Sequence, residues 1–161
     1  KTSVLLDLHF IFPLYSFKTN IMQFNTYLNF GGNAEEAFRF YQSVFGGELF
    51  VQRMSEVPGM DELPEEESNC VMHISLPLGN GQTLMASDIL PSRGHVLEMG
   101  NNSYISVAPD SREEADRIFR ELSKEGKVEM DLQEMFWGDY FGSFRDRYGV
   151  YWMINYNLKA Q

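Results

Sequence analysis

Apolar and polar positions along this chain follow two textures in a repeated order. Over Asn33-Ala34-Glu35-Glu36-Ala37-Phe38-Arg39-Phe40-Tyr41, the residues Ala34, Ala37, Phe38, Tyr41 and then Phe45 recur at helical spacing and share one face. Ser111-Arg112-Glu113-Glu114-Ala115-Asp116-Arg117-Ile118-Phe119 repeats the pattern 78 residues later, with Ala115, Ile118, Phe119 and Leu122 as its stripe. Asn33 and Ser111 stand where a side chain caps free N–H groups, and Glu36 and Glu114 lie three residues on, where a carboxylate reaches back. The Glu pairs suit the positive end of a helix dipole, so they read as capping groups rather than acid/base catalysts. Gly46-Gly47 and Gly126 read as the helix ends.

Strand texture surrounds each helix. Gln23–Phe30 precedes the first, and Glu48–Arg53, Cys70–Leu76 and Thr83–Asp88 follow it. Ser103–Ala108 precedes the second, with Val128–Leu132, Asp139–Arg145 and Val150–Tyr156 behind it. Gly79-Asn80-Gly81 and Asp146-Arg147-Tyr148-Gly149 are hairpin turns. In the last strand Tyr151, Met153 and Asn155 share one face, and Trp152 and Ile154 the other. The unit is strand–helix–strand–strand–strand, twice. The expected class is α+β: two tandem βαβββ modules over 22–88 and 103–157, joined by a Pro/Gly/Ser/Asn-rich connector at 89–102, within one domain at 22–161.

Two segments depart from the repeat. Residues 1–21 are apolar but interrupted by Asp7, His9 and Pro13, too briefly uncharged to span a bilayer and without a small-residue cleavage site. Met22 reads as a natural start and the leader as an extension outside the core. Glu56–Glu67 carries six carboxylates with two prolines and a glycine and no Lys or Arg, so it reads as a solvated, mobile loop, placed to act as a lid. It makes the first module the longer one.

Composition narrows the function. With 161 residues, 43% apolar, and 13 Phe, the chain can bury a core. A formal charge of −10 without a basic run argues against a nucleic-acid partner and offers a membrane surface no attraction. The single Cys70 excludes an intrachain disulfide and a multi-cysteine metal site, and its apolar strand suits an inert thiol better than a nucleophile. There is no Walker or Rossmann glycine pattern.

Together the motifs resemble the PhnB-like branch of the glyoxalase/bleomycin-resistance/extradiol-dioxygenase (vicinal oxygen chelate) superfamily, often labelled 3-demethylubiquinone methyltransferase-like. The resemblance rests on Tyr27-Leu28-Asn29-Phe30 before Gly32-Asn33-Ala34-Glu35-Glu36-Ala37, on Phe40-Tyr41 and Phe45-Gly46-Gly47, and on Thr83-Leu84-Met85-Ala86-Ser87-Asp88. Phe136-Trp137-Gly138, Tyr140-Phe141-Gly142 and Asp146-Arg147-Tyr148-Gly149-Val150 before Trp152 complete it, over about residues 22–157. It implies half-barrel sheets curled around a cup, helices outside, a homodimer that often completes the cup, and a cytoplasmic protein. Metal-dependent members place His or Glu on the first and last strand of each module. The repeat offset puts Thr26, Tyr104, Met85 or Ala86, and Met153 there, with Asn25, Ser103, Ser87 or Trp152 one residue away. None of these is a metal ligand set, so no metal and no cofactor is expected.

Two functions stay open. One is a metal-free cup for a small, partly apolar molecule, with His73, Ser87, Trp137, Tyr140, Tyr151 and Asn155 as candidate contacts. The other is a lyase- or isomerase-type enzyme using His73 with Asp88 as a base pair, or an unrecognised metal site. A lone strand histidine satisfied by a neighbour is the plainer role for His73.

Overall fold

A computed structural model describes residues 24–60 and 62–159; the expectations for residues 1–21 and for Gln23 lie outside this range. The first module runs β1 (Thr26–Phe30), α1 (Ala34–Phe45), β2 (Phe50–Arg53), a short α2 (Glu65–Ser68), β3 (Val71–Gly79) and β4 (Gln82–Asp88). The second runs β5 (Ile105–Val107), α3 (Arg112–Ser123), β6 (Lys127–Glu134), β7 (Asp139–Arg145) and β8 (Tyr151–Asn157). Each builds a four-stranded sheet, ordered β1-β4-β3-β2 and β5-β8-β7-β6. In both, the first strand pairs parallel with the last, which a crossover through the helix permits, and the other pairs are antiparallel hairpins.

Alternation along the strands decides what is buried. Leu84 and Ala86 of β4, Ile74 and Leu76 of β3, and Phe30 of β1 face α1, whose Ala34, Ala37, Phe38 and Tyr41 have no exposed surface. Trp152 and Ile154 of β8 and Phe144 of β7 face α3 through Ala115, Ile118 and Leu122. The two sets form one core across the modules. Asp146 ties them. Its Oδ2 accepts from the Tyr41 hydroxyl of α1 (2.7 Å) and from Trp152 Nε1 (2.8 Å). Its Oδ1 accepts from the Tyr148 and Val150 amides of its own turn, both at 2.9 Å. Burial, then the neighbouring Asp146, pushes the Tyr41 phenol well up.

Three local expectations need correction. Asn33 makes no side-chain cap on α1. Asp88, arriving at the end of β4, does so: its Oδ1 accepts from the Gly32 and Ala34 amides at 2.9 and 3.0 Å, and its Oδ2 from Val71 at 2.8 Å. Ser111 does cap α3, accepting from the Glu114 amide at 3.1 Å. At the end of α3 the positive φ of 64° falls on Glu125 rather than Gly126. Gly126 is needed for space, because a Cβ there would lie 2.2 Å from the Arg145 carbonyl oxygen.

The third concerns the acidic segment. Inserted between β2 and β3, it is solvated as expected at Glu56, Glu62, Glu65 and Glu66 but anchored at two points: Leu63 buries with Met54 against Leu90 of the connector, with Met60, Cys70 and Met72 around them. Glu67 is buried, and its carboxylate accepts from the amide (2.8 Å) and the hydroxyl of Ser92. Met60 and Leu63, set among the carboxylates, are the segment's own contribution to this small core. Cys70 is half-buried, and burial, then the charges of Asp88 and Glu67, pushes its thiol up, away from nucleophilic thiolate character.

Candidate functional site

The face of each sheet that does not carry a helix displays the chemistry. On the first sheet, β3 and β4 pair Ile74 with Ala86 and Ser75 with Met85, so His73 and Ser87 fall together on the open face. Tyr27 and Asn29 of β1 join them by their register with Met85 and Ser87. The Tyr27 hydroxyl and His73 Nδ1 are hydrogen-bonded at 3.3 Å, and the rings stack with centroids 5.8 Å apart. Phe50 of β2 lies 6.3 Å from the imidazole. Ser87 donates to Asn29 Oδ1 at 3.4 Å. His73 thus has a neighbour that satisfies it, but a side chain on an open face rather than buried backbone.

Asp88 is not its partner. It sits on the helix side of β4, only 4% exposed, with its oxygens taken by three backbone amides. The expected His73–Asp88 base pair fails because residues at adjacent odd and even strand positions face opposite sides of the sheet.

On the second sheet, Tyr151, Met153 and Asn155 of β8 face the open side opposite the buried Trp152 and Ile154. The Tyr104 ring meets the Tyr151 ring at 5.3 Å and 67°. Its hydroxyl donates to Glu129 Oε2 of β6 at 2.7 Å, a bond that reaches from one edge strand to the other across a curled sheet and holds the phenol above its ordinary pKa. Trp137 lies in the β6–β7 turn, partly exposed, edge-on to Phe136 and 6.0 Å from Phe141. Tyr140 is a correction: it faces the core side, its hydroxyl donates to Asp116 Oδ1 at 2.8 Å, and the Arg112 guanidinium covers its ring at 4.2 Å. Burial, then the Asp116 hydrogen bond, pushes its phenol up.

A cleft of about 380 Å³ runs along the seam between modules. Tyr27 and Asn29 of the first sheet, Tyr104 and Tyr151 from the second module, and residues of the connector between Leu97 and Ser103 line it. His73, Ser87 and Trp137 lie outside it, and Asn155 lines a separate hollow at the start of α3. The expected contacts other than Tyr140 are therefore divided between the two sheets, and Tyr151 alone reaches the seam. Tyr27, Asn29 and Tyr104 were missed. Phe30 as a buried strand end would have found the first two by alternation.

Tyr104 also corrects the repeat register. The loop before α3 (Ala108–Ser111) is one residue longer than that before α1 (Gly31–Asn33), so helices repeat at 78 residues but first strands at 77. Tyr27, not Thr26, is the counterpart of Tyr104. The open-face positions on first and last strands are then Tyr27, Tyr104, Met85 or Ser87, and Tyr151 or Met153. These phenol, thioether and hydroxyl groups do not fit the imidazole, carboxylate and thiolate chemistry of a divalent metal site. Among the described residues no three His, Cys, Asp or Glu side chains gather as a metal site, and no helix is long and apolar enough to cross a membrane.

Residues 22–155 match the family described as 3-demethylubiquinone-9 3-methyltransferase. Protein YjdN of Escherichia coli is 34% identical, across 83% of this chain and 95% of that one. The crystal structure of protein PA1353 from Pseudomonas aeruginosa superposes with a TM-score of 0.74 at 36% identity, covering 84% of this chain and 98% of that one. A PhnB protein from Bacillus cereus gives 0.66 at 28% identity, covering 84% and 99%. Glyoxalase-related and glyoxalase/bleomycin-resistance structures share the fold at 18% and 15% identity. A fold of this kind hosts many reactions, so the likeness sets architecture and leaves chemistry to the site. The chain belongs to the 3-demethylubiquinone-9 3-methyltransferase family and shares its fold with glyoxalase/bleomycin-resistance structures.

Proposed function

We propose that the open sheet faces form a cup that holds a small, partly apolar molecule without a bound metal, in a homodimer whose second copy helps cover the faces. The observation that carries this reading is the set of aromatic and hydroxyl groups that the core does not use: Tyr27 with His73 on one sheet, Tyr104 with Tyr151 on the other. Cores bury aromatics; here Tyr27 is 47% and Phe50 57% exposed. Such apolar walls with a few hydrogen-bonding tips are what small-molecule sites offer. They also favour cover by a second protomer.

The test is a melting-temperature screen of aromatic alcohols, acids and amines on the purified full chain, with the assembly state followed by light scattering. A ligand at 100 times its dissociation constant adds about 2.7 kcal/mol. For a chain of this size that is roughly 5–10 °C. His73→Ala should weaken a hit rather than abolish it, since Tyr27 and Phe50 remain. Complete loss with the fold intact would instead favour the enzyme reading, with His73 as its proton-handling group. A flat screen on a monomeric protein would overturn the proposal.

A further inference from the structure

We propose that the seam cleft takes an organic cation, a protonated or quaternary amine bearing an apolar or aromatic group. This rests on the reading of the open faces as a small-molecule site and adds the charge of the ligand.

Three features carry it. The Tyr104 and Tyr151 rings pack edge to face, with centroids 5.3 Å apart, and line the cleft together with Tyr27. Ring faces carry negative potential, so a lining with three phenol rings attracts a cation more than a neutral group of the same shape. Glu98 lies in the lining, and Glu129 accepts the Tyr104 hydrogen bond, which sets a carboxylate beside that ring. Among the described residues no Lys, Arg or His lines the cleft, and the chain as a whole carries −10, which steers cations toward it. Arg145 faces an adjoining hollow of about 250 Å³ that shares Met99 and Tyr151. An anion would have to bind at that end, which makes an anionic probe the discriminating control.

The experiment titrates the full chain with benzyltrimethylammonium, benzyl alcohol and phenylacetate, reading tyrosine ring and methionine methyl resonances by NMR. One partly exposed ring contributes about two- to fivefold in cation affinity, so three rings give about ten- to a hundredfold. Benzyltrimethylammonium should therefore bind at least about tenfold tighter than phenylacetate and shift the Met99 methyl. Tyr151→Leu should weaken it severalfold. Glu98→Gln, on the exposed connector, tests the charge without touching the core: it should weaken the cation and leave benzyl alcohol unchanged. Phenylacetate or benzyl alcohol binding as tightly as the cation would overturn the assignment of charge while leaving a small-molecule site standing. No shift with any of the three probes would overturn the cation assignment, and the small-molecule reading falls with it only if the wider melting screen is flat as well. Unchanged cation affinity in Glu98→Gln and in Glu129→Gln would also overturn it.

Discussion

Replacing Asp88 by alanine tests whether this residue is part of the scaffold or of a site. Three amides lose their acceptor: Gly32 and Ala34 at the start of α1, and Val71 at the start of β3. Losing a helix cap costs about 0.5–2 kcal/mol. Stranding a buried amide costs about 1–3 kcal/mol more. The sum, about 2–5 kcal/mol, is a large part of the roughly 5–15 kcal/mol that holds a domain folded. It should lower the melting temperature by about 5–15 °C. Asp88→Asn keeps an oxygen for the helix amides but turns an NH2 toward Val71, so it should cost about 1–3 kcal/mol. Asn33→Ala should cost less than about 0.5 kcal/mol, because the Asn33 side chain makes no cap. Urea unfolding, followed by circular dichroism and by tryptophan fluorescence, reads all three variants, with an unchanged slope as the check that stability alone has moved. Asp88→Ala losing less than 1 kcal/mol, or Asn33→Ala costing as much as Asp88→Ala, would refute the reasoning.

Tyr41→Phe removes one of two donors to Asp146 Oδ2 and should cost about 1–3 kcal/mol in urea unfolding; a neutral result would show that this bond adds nothing to the packing around it. Gly126→Ala forces a Cβ against the Arg145 carbonyl and should cost about 3 kcal/mol, read the same way. Hydrogen bonds from Arg53, then from Arg39, hold the Glu35 carboxyl below its ordinary value of 4.5. A lowered folded pKa means that this stabilisation is present above 4.5 and is lost as the pH falls through the folded value, so Glu35→Gln should flatten the acid limb of a stability–pH curve. Protein purified without chelator should hold no stoichiometric metal and show no melting shift with zinc, nickel or manganese. One tight metal per chain would refute the argument from the donor set.

Most of the architecture was legible because it depends on short-range periodicity. The stripe Ala34, Ala37, Phe38, Tyr41 and the alternation Tyr151 to Asn155 each follow from the geometry of one element, and both packed as read. The repeated Glu-Glu-Ala-x-Arg marked the two helices for the same reason. Much less of the site was legible. His73 and Ser87, or Tyr151 and Asn155, share a face as their spacing implies. Which sheet meets which, and at what seam, is set by long-range packing. Tyr140 reads like Tyr151 in sequence, yet one residue of parity buries it beneath Asp116 and Arg112 of α3.

The sequence alone therefore determined the two long helices, the eight strands, their order and most of their buried faces, because hydrophobic burial acts through local period. Only the tertiary structure decided which polar groups are already engaged. Asp88 looked free to do chemistry until β4 carried it to the start of α1. Glu67 of the acidic insertion reads as solvated, and in the fold it meets Ser92, 25 residues away, while Glu56, Glu62, Glu65 and Glu66 stay exposed. Thr26 gave way to Tyr27 once a single extra loop residue shifted the register. A polar group's role depends on which donors surround it, and those donors come from distant parts of the chain that local pattern does not specify.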